Sequence, residues 1–289
     1  MNCELKSEAV FRPRRGFGCQ TTHDLKLIIH NSNEVQITFL GTGTSSGVPM
    51  IGCTCPVCRS LDHRDHRLRV SVHVAVAGLS LVIDSGPDFR QQMLRARVTH
   101  LDALLFTHEH KDHTAGLDDI RAFNFRQQTD MPVYGEPRVL RQLQQEFAYI
   151  FAEHKYPGIP RVTLHPIERD DEPFDVLGVP VLPLRAMHHK LPVLGFRIGN
   201  FCYLTDANQL GPETRAQLRG ADVIVLNALR REQHISHFTL AQAIEVLEEA
   251  APKRAYLTHI SHQLGRHAEV EAELPPWIRL AYDGLKVEV

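Results

Sequence analysis

Residues 107–113 read THEHKDH and follow directly on the apolar run LDALLF. Such a short, nearly uninterrupted apolar run is typical of a strand in a sheet that is covered on both faces, so the histidines lie on a loop at its end. Along an extended loop His108 and His110 point the same way, while Asp112 and His113 can turn towards a second point nearby. This spacing predicts two neighbouring divalent metal ions. The alternative is a solvated, histidine-rich loop that binds nothing.

Two metal ions need more ligands than one loop provides, and three further candidates stand at the ends of predicted strands. His188 follows VPVLPLRAM, Asp206 ends FCYLTD, and His259 ends AYLTH. Each taken alone could be an ordinary surface residue or a hydrogen-bonded polar group. Together with the histidine loop they complete a ligand set, in which the two oxygens of Asp206 can bridge both ions.

The composition limits the classes of function. The chain has 289 residues, 43% hydrophobic and 23% charged, with a formal net charge of -2. The Lys and Arg residues are scattered and form no basic stripe, so charge gives no support for nucleic-acid binding. No apolar run approaches the roughly 18 residues that span a bilayer, and the N-terminus lacks the apolar region of a signal peptide. We therefore expect a cytoplasmic protein without a membrane partner.

Three of the six cysteines fall close together, in the segment Cys53-Thr-Cys55-Pro-Val-Cys58. In a chain without an export signal this clustering indicates a metal site rather than disulfides. The alternative is three reduced, buried cysteines. The remaining cysteines match no pattern, and we expect free thiols at Cys3, Cys19 and Cys202.

The chain divides into an extension and one domain. Residues 1–34 mix FRPRRGFG with polar stretches and show no sustained hydrophobic period, so we expect a mobile or loosely attached extension. Residues 35–289 alternate predicted strands and helices in two comparable halves. They include a hairpin ending at Asp84, a helix from HTAGLDDIRAFNFRQQ, and a closing hairpin at Asp283-Gly284. This order predicts an α/β (α+β) fold with two packed sheets and helices outside, an αββα sandwich.

These features resemble the metallo-β-lactamase superfamily, whose mark is HxHxDH with later His, Asp and His ligands. Within it the chain is most similar to the cyclic phosphate phosphodiesterases of phosphonate degradation and their uncharacterised relatives. The resemblance covers roughly residues 35–289. The matching stretches include GTGTSSGVPMIGCTCPVC, LVIDSG, FTHEHKDHTAGL, YLTDA, SHFTL, LTHISHQ and YDGLKVEV.

The resemblance implies a specific set of ligands for two ions, manganese or zinc. His108, His110 and His188 would hold the first ion; Asp112, His113 and His259 would hold the second, with Asp206 shared. His189 competes with His188, and the resemblance favours His188. Two such ions hold a hydroxide that is nucleophilic at neutral pH and neutralise charge on a phosphoryl group.

The resemblance also implies supporting residues. Asp84 would hold the histidine loop by hydrogen bonds, unless it caps a helix beginning at Pro87. The three clustered cysteines would bind a structural zinc with His262, as a closed tetrahedral site without room for substrate. This zinc would anchor the early loop against the segment that carries His259.

His237, in HISHFTL, matches the family histidine that protonates the leaving oxygen. With Asp112 it is the expected catalytic pair; local packing at a helix N-terminus and a role for His234 instead are the alternatives. The expected function is hydrolysis of a small cyclic phosphate or nucleotide-like phosphodiester. Thioester hydrolysis, RNA processing and a catalytically silent interaction module remain open, and the family resemblance allows a homodimer.

Overall fold

The computed structural model describes residues 34–153 and 156–289. The predicted extension therefore lies outside the described residues apart from Glu34, as do Cys3 and Cys19. In the described ranges no helix is long and apolar enough to cross a membrane.

Strands and helices alternate along the domain. The strands, in chain order, are β1 (Val35–Gly41), β2 (Ser71–Val76), β3 (Leu79–Ile83), β4 (Ala103–Leu105), β5 (Met131–Gly135), β6 (Val162–Pro166), β7 (Phe174–Val176), β8 (Val179–His188), β9 (Leu191–Ile198), β10 (Phe201–Leu204), β11 (Gln209–Leu210), β12 (Val223–Asn227), β13 (Arg254–Thr258), β14 (Ile278–Leu280) and β15 (Lys286–Glu288). The helices are α1 (Phe89–Ala96), α2 (Lys111–Thr114), α3 (Arg121–Gln127), α4 (Pro137–Glu146), α5 (Ala148–Phe151), α6 (Pro212–Leu218), α7 (Leu240–Ala250) and α8 (His267–Glu271).

Two sheets form the centre of the domain. The first has the order β15-β1-β2-β3-β4-β5-β6, and the second has the order β11-β8-β9-β10-β12-β13-β14, with β7 paired to β8. In the first sheet β3 to β6 are parallel, and in the second β10, β12, β13 and β14 are parallel. The carboxyl ends of the parallel strands in each sheet therefore lie along one edge, where polar loops can meet.

Three apolar cores hold the sheets and helices together. Between the sheets, one core includes the fully buried rings of Phe39, Phe196 and Tyr203. A second core packs sheet residues such as Leu226 against α7, and a third packs Phe106 and its neighbours against α1, α3 and α4. Helices thus cover the outer faces of both sheets, which confirms the predicted αββα sandwich.

The predicted helix of residues 113–128 is interrupted. α2 ends at Thr114, a 3-10 turn spans Leu117–Ile120, and α3 begins at Arg121. The cause is a contact with a distant segment, because Ser85, just after β3, bonds backbone groups that a continuous helix would use. Ser85 N donates to His113 O at 2.8 Å, and Gly116 N donates to Ser85 O at 2.8 Å.

The predicted closing hairpin at Asp283-Gly284 is wrong. β14 pairs with β13 in the second sheet, whereas β15 pairs with β1 in the first, so this turn carries the chain from one sheet to the other. The Asp283 carboxylate is buried, where it accepts hydrogen bonds from Thr42 Oγ1 at 2.8 Å and Leu68 N at 2.7 Å. These long-range contacts hold the crossing in place of hairpin pairing.

Candidate metal centre

Four strand ends from both sheets meet at the site. Asp84 follows β3 and His108 follows β4, while Asp206 and His259 follow β10 and β13 of the other sheet. Asp84, Asp206 and His259 have positive φ angles of 64°, 53° and 54°. Left-handed backbone is uncommon outside glycine and concentrates at functional sites. Three such residues at one edge of the sheets therefore indicate a functional site there.

The first candidate ligand group, the three-histidine set, comprises His108, His110 and His188, whose ring nitrogens all lie within 4.8 Å of one another. His108 Nδ1 lies 3.0 Å from Thr107 Oγ1, and His188 Nδ1 donates to Ser236 O at 2.9 Å. These contacts at Nδ1 fix the rings of His108 and His188, and they leave Nε2 of each ring facing the other candidate ligands. Contacts of this kind at the distal nitrogen are typical of metal-binding histidines.

The second candidate group, the aspartate set, comprises Asp112, His113 and His259. His113 Nδ1 donates to Asp84 Oδ2 at 2.7 Å, which directs Nε2 towards Asp112 Oδ2 at 3.4 Å. His259 Nε2 lies 3.9 Å from the same Asp112 oxygen. This set therefore brings one carboxylate and two imidazoles to one point.

Asp206 lies between the two sets. Its Oδ2 is 3.0 Å from His113 Nε2, and its Oδ1 is 3.2 Å from His259 Nε2. His108, His113 and Asp206 also form a group with ligand atoms within 4.8 Å of one another. The Asp206 carboxylate therefore lies within reach of ligand atoms from both sets.

Charge and hydrogen bonding show that these residues fit divalent metal ions. Burial alone would raise the pKa of Asp206, but His259 and His113 hold it well below its usual value. Burial alone would lower the pKa of His113, but the carboxylates of Asp206, Asp112 and Asp84 raise it well above its usual value, so the site favours a positive charge that a metal ion would supply in place of the proton. Both ring nitrogens of His259 and Nε2 of His113 are buried and make no hydrogen bond of good geometry, although Asp206 oxygens lie close to each Nε2. Buried carboxylates and unpaired imidazole nitrogens facing one another form the donor set that a divalent cation takes.

Asp84 lies beneath the histidine loop, where the resemblance places it. Its fully buried carboxylate accepts from Thr107 N and Thr107 Oγ1, each at 2.9 Å, and from His113. The alternative of a helix cap is wrong, because α1 begins at Phe89 and its N-cap position is Asp88.

His237 also reaches the centre. Its Nε2 donates to Asp206 Oδ1 at 2.9 Å, and with His188 and Asp206 it forms a fourth group of potential ligands. Burial lowers its pKa to about 4 despite the Asp206 carboxylate. His234 lies one step further out, with its Nδ1 3.0 Å from His237 Nδ1. His189 is exposed at the turn after β8 and belongs to none of these groups.

The predicted structural zinc residues also come together. Cys53, Cys55, Cys58 and His262 have ligand atoms within 4.8 Å of one another, and His262 Nδ1 lies 3.4 and 3.3 Å from the sulfurs of Cys53 and Cys55. Burial alone would raise the pKa of Cys55, but the Cys58 N–H and the His262 ring lower it to about 6. Since the thiolate is the metal-binding form of cysteine, this cysteine set fits a zinc ion.

Sequence reasoning missed several residues that hold the ligands. Thr107 supports Asp84 and His108, Thr205 Oγ1 donates to Asp206 Oδ2 at 3.0 Å, and the Ser236 carbonyl supports His188. A signal was present for the threonines, because one stands directly before the ligand in each of FTH, LTD and LTH. No local pattern marks Ser236, which reaches its partner only through the fold.

Known proteins are similar to this chain in sequence and in fold. The family profile described as "Beta-lactamase superfamily domain" matches residues 80–260. A crystal structure described as a new diphosphatase from the PhnP family is 39% identical, covers 89% of this chain and 97% of its own, and superposes with a TM-score of 0.83. Zn²⁺-bound PqqB from Methylobacterium extorquens is 19% identical over 88% of this chain and all of its own, with a TM-score of 0.69, which shows a shared fold.

Curated relatives are more diverse. An octanoyltransferase of Porphyromonas gingivalis is 42% identical over 86% of this chain, and a ribonuclease Z of Mycobacterium sp. strain KMS is 27% identical over 88% of this chain and 96% of its own length. The chain spans half the length or less of the P. gingivalis protein and of two other curated relatives. The profile match and the PhnP-family structure give the same conclusion: the chain belongs to the metallo-β-lactamase superfamily and is related to the PhnP family.

Proposed function

We propose that the protein is a binuclear, metal-dependent phosphodiesterase that acts on a small cyclic phosphate or a nucleotide-like phosphodiester. The observation that carries this proposal is the place of Asp206, which contacts His113 and His259 of the aspartate set and also groups with His108 and His188 of the three-histidine set. Because the three-histidine set reaches the same carboxylate through His108, the arrangement suits two adjacent ions. Two divalent ions, when bound, supply a nucleophile at neutral pH and offset charge on a phosphoryl group.

The roles of the chain's own residues follow from the contacts. The three-histidine set and the aspartate set, with Asp206, would hold the ions. Asp84 would orient His113 and so the helix-turn that carries Asp112. The cysteine set would hold a third, structural zinc that takes no part in the chemistry.

We propose that His237 donates a proton to the leaving group. An ionised Asp206 carboxylate can only accept, so His237 carries its proton on Nε2, at the atom that faces the metal centre. To act as the acid, the ring must also carry a proton on Nδ1, which faces Ser236 Oγ at 3.1 Å. This imidazolium can pass its Nε2 proton to an oxygen leaving a substrate bound beside Asp206, and it becomes the neutral imidazole when it does so.

The comparisons favour one second candidate. The PhnP-family structure at 39% identity is described as a diphosphatase, which would make a diphosphate the substrate of the same centre. The name octanoyltransferase carries less weight, because this chain matches only 50% of that protein. The net charge of -2 gives no support to an RNA-processing role.

Turnover of a defined set of esters tests the proposal. The set is bis(p-nitrophenyl) phosphate, a 2′,3′-cyclic nucleotide, a ribosyl cyclic phosphate and a dinucleoside diphosphate, each assayed before chelation, after chelation and after manganese is restored. We expect turnover of at least one phosphodiester that chelation abolishes and manganese restores. Metal-dependent turnover of the diphosphate alone would favour the second candidate, and no turnover of any ester would contradict both.

Replacement of one histidine tests the assigned proton donor. His237→Ala should lower phosphodiester turnover about 10²- to 10⁴-fold while the metal content stays the same. His234→Ala is the matched control, since this neighbour contacts His237 but not Asp206, and should retain most of the turnover. A His237→Ala protein that loses an ion would instead make His237 a ligand, and an unchanged rate would remove its role.

A further inference from the structure

One arginine outside the ligand groups joins the two loops that supply the three-histidine set. Arg138 lies in the first turn of α4, with its side chain 25% exposed. Its Nη1 donates to Glu109 Oε2, and its Nη2 donates to the carbonyl oxygen of Pro192. The guanidinium therefore spans two separate segments of the chain.

Both segments carry histidines of the same set. Glu109 stands between His108 and His110 in the loop after β4 of the first sheet. Pro192 lies in β9 of the second sheet, where it pairs with Met187, the residue before His188. Arg138 thus connects the first-sheet loop to the second-sheet hairpin at the point where their histidines converge.

The topology brings Arg138 to this place. β4 and β5 are parallel neighbours, so the histidine loop after β4 and the helix α4 after β5 leave the sheet at the same edge. A separate backbone bond, from Leu194 N to Thr107 O at 3.0 Å, also joins the two segments. Arg138 adds a second connection, through a side chain, between the same two segments.

The guanidinium is itself held in position. Glu136 Oε2 accepts from Arg138 Nη2 at 2.9 Å, and Glu136 Oε1 accepts from Arg185 Nη2 at 2.6 Å. The planar guanidinium presents several donors in a rigid fork, which allows it to bond a carboxylate and a carbonyl at fixed separation. A lysine ammonium has no such fork.

We propose that Arg138 is a positioning residue for the three-histidine set. It sets the distance from His108 and His110 to His188, and through that distance the affinity for the ion these residues hold. The inference rests on the metal centre of the proposed function. Metal ligands need placement within about half an ångström, and loss of an outer-shell partner typically weakens metal affinity 10- to 100-fold.

Zinc affinity tests the proposal without any substrate. Full-length Arg138→Gln and wild type, stripped of metal, are titrated with Zn²⁺ in competition with a chromogenic chelator. We expect about 10- to 100-fold weaker binding of one ion and unchanged binding of the others. A purely electrostatic effect would have the opposite sign, because removal of a positive charge near a cation site strengthens cation binding.

Two comparisons locate the effect. Arg185→Gln is the matched control, since Arg185 bonds Glu136 and Asp170 in the same ion-pair network but neither Glu109 nor Pro192, and it should change zinc affinity less than about twofold. In a His188→Ala background, which lacks the only ligand of the set on the second segment, Arg138→Gln should have little further effect. Unchanged or stronger binding in Arg138→Gln, or an equal loss in the His188→Ala background, would overturn the proposal.

A second variant covers the case in which Arg138→Gln fails to fold. Arg138→Lys keeps the charge but cannot make both bonds, so it should show part of the same loss of affinity. Urea unfolding of the chelated proteins checks that stability without metal is similar. Zinc affinity and ester turnover of the wild type are measured separately. A protein that binds zinc but hydrolyses no ester would refute the proposed function, and the zinc titration of Arg138→Gln would still test this inference.

Discussion

At the scale of single residues, Asp84 holds the histidine loop through hydrogen bonds to Thr107 and His113. Its fully buried carboxylate accepts three hydrogen bonds, two from Thr107 and one from His113. In Asp84→Asn the amide nitrogen would face a donor, which leaves a buried polar group unpaired. We expect about 1 to 3 kcal/mol of lost stability and about 10- to 100-fold weaker binding of one metal ion.

Thermal unfolding and zinc titration of Asp84→Asn measure both effects. Asp102→Asn is the matched control, because Asp102 accepts from Ser80 N and His100 Nε2, each at 2.8 Å, and belongs to none of the ligand groups. It should affect stability alone. Equal zinc affinity in the two variants would contradict the role given to Asp84.

At the scale of elements, α2 and the end of β3 approach so closely that a glycine is required. A Cβ on Gly86 would lie 2.0 Å from the carbonyl oxygen of Asp112, which is backbone and cannot move aside without α2. We expect Gly86→Ala to displace α2 and so weaken the ion held by the aspartate set. Overpacking of this kind costs about 1 to 3 kcal/mol.

Zinc titration and urea unfolding of Gly86→Ala check this expectation. Gly211→Ala is a suitable control, because the only atom a Cβ would approach is a carboxylate oxygen of the flexible Glu213 side chain, at 3.3 Å. If Gly86→Ala binds all ions as wild type does, the close approach does not position the ligands.

The same elements show what sequence could predict. The apolar strands and the polar residues after them follow a local pattern, so the sequence predicted the sandwich and the position of His108, Asp206 and His259 after strands. The interruption of the helix at Gly116 and the crossing at Asp283 depend on bonds to distant backbone groups, Ser85 and Leu68, that no local pattern encodes. Arg138 was missed for the same reason, since both of its partners at the loops are distant in sequence.

At the scale of the whole molecule, the cysteine set joins two distant segments. Its cysteines lie in the loop between β1 and β2 of the first sheet, and His262 lies in the loop after β13 of the second sheet. His262 lies three residues after His259, and Ile260 N donates to Thr42 O at 2.9 Å while Thr44 N donates to Ile260 O at 3.1 Å. The backbone of residues 42–44 therefore runs beside the residue that follows His259. A zinc ion at the cysteine set would fix this contact and couple the stability of the fold to the position of His259.

Metal counting in Cys55→Ala tests this coupling. With two ions in the centre and one in the cysteine set, wild type should hold about three ions per chain, and the variant about two. We also expect a lower melting temperature and weaker binding at the aspartate set, because His259 loses its anchor. Cys202→Ala is the control, since Cys202 is buried in β10 outside the cysteine set and should leave the metal count unchanged. A Cys55→Ala protein with the wild-type count would show that the cysteines bind no metal, and an unchanged affinity of the remaining ions would show that the two sites are independent.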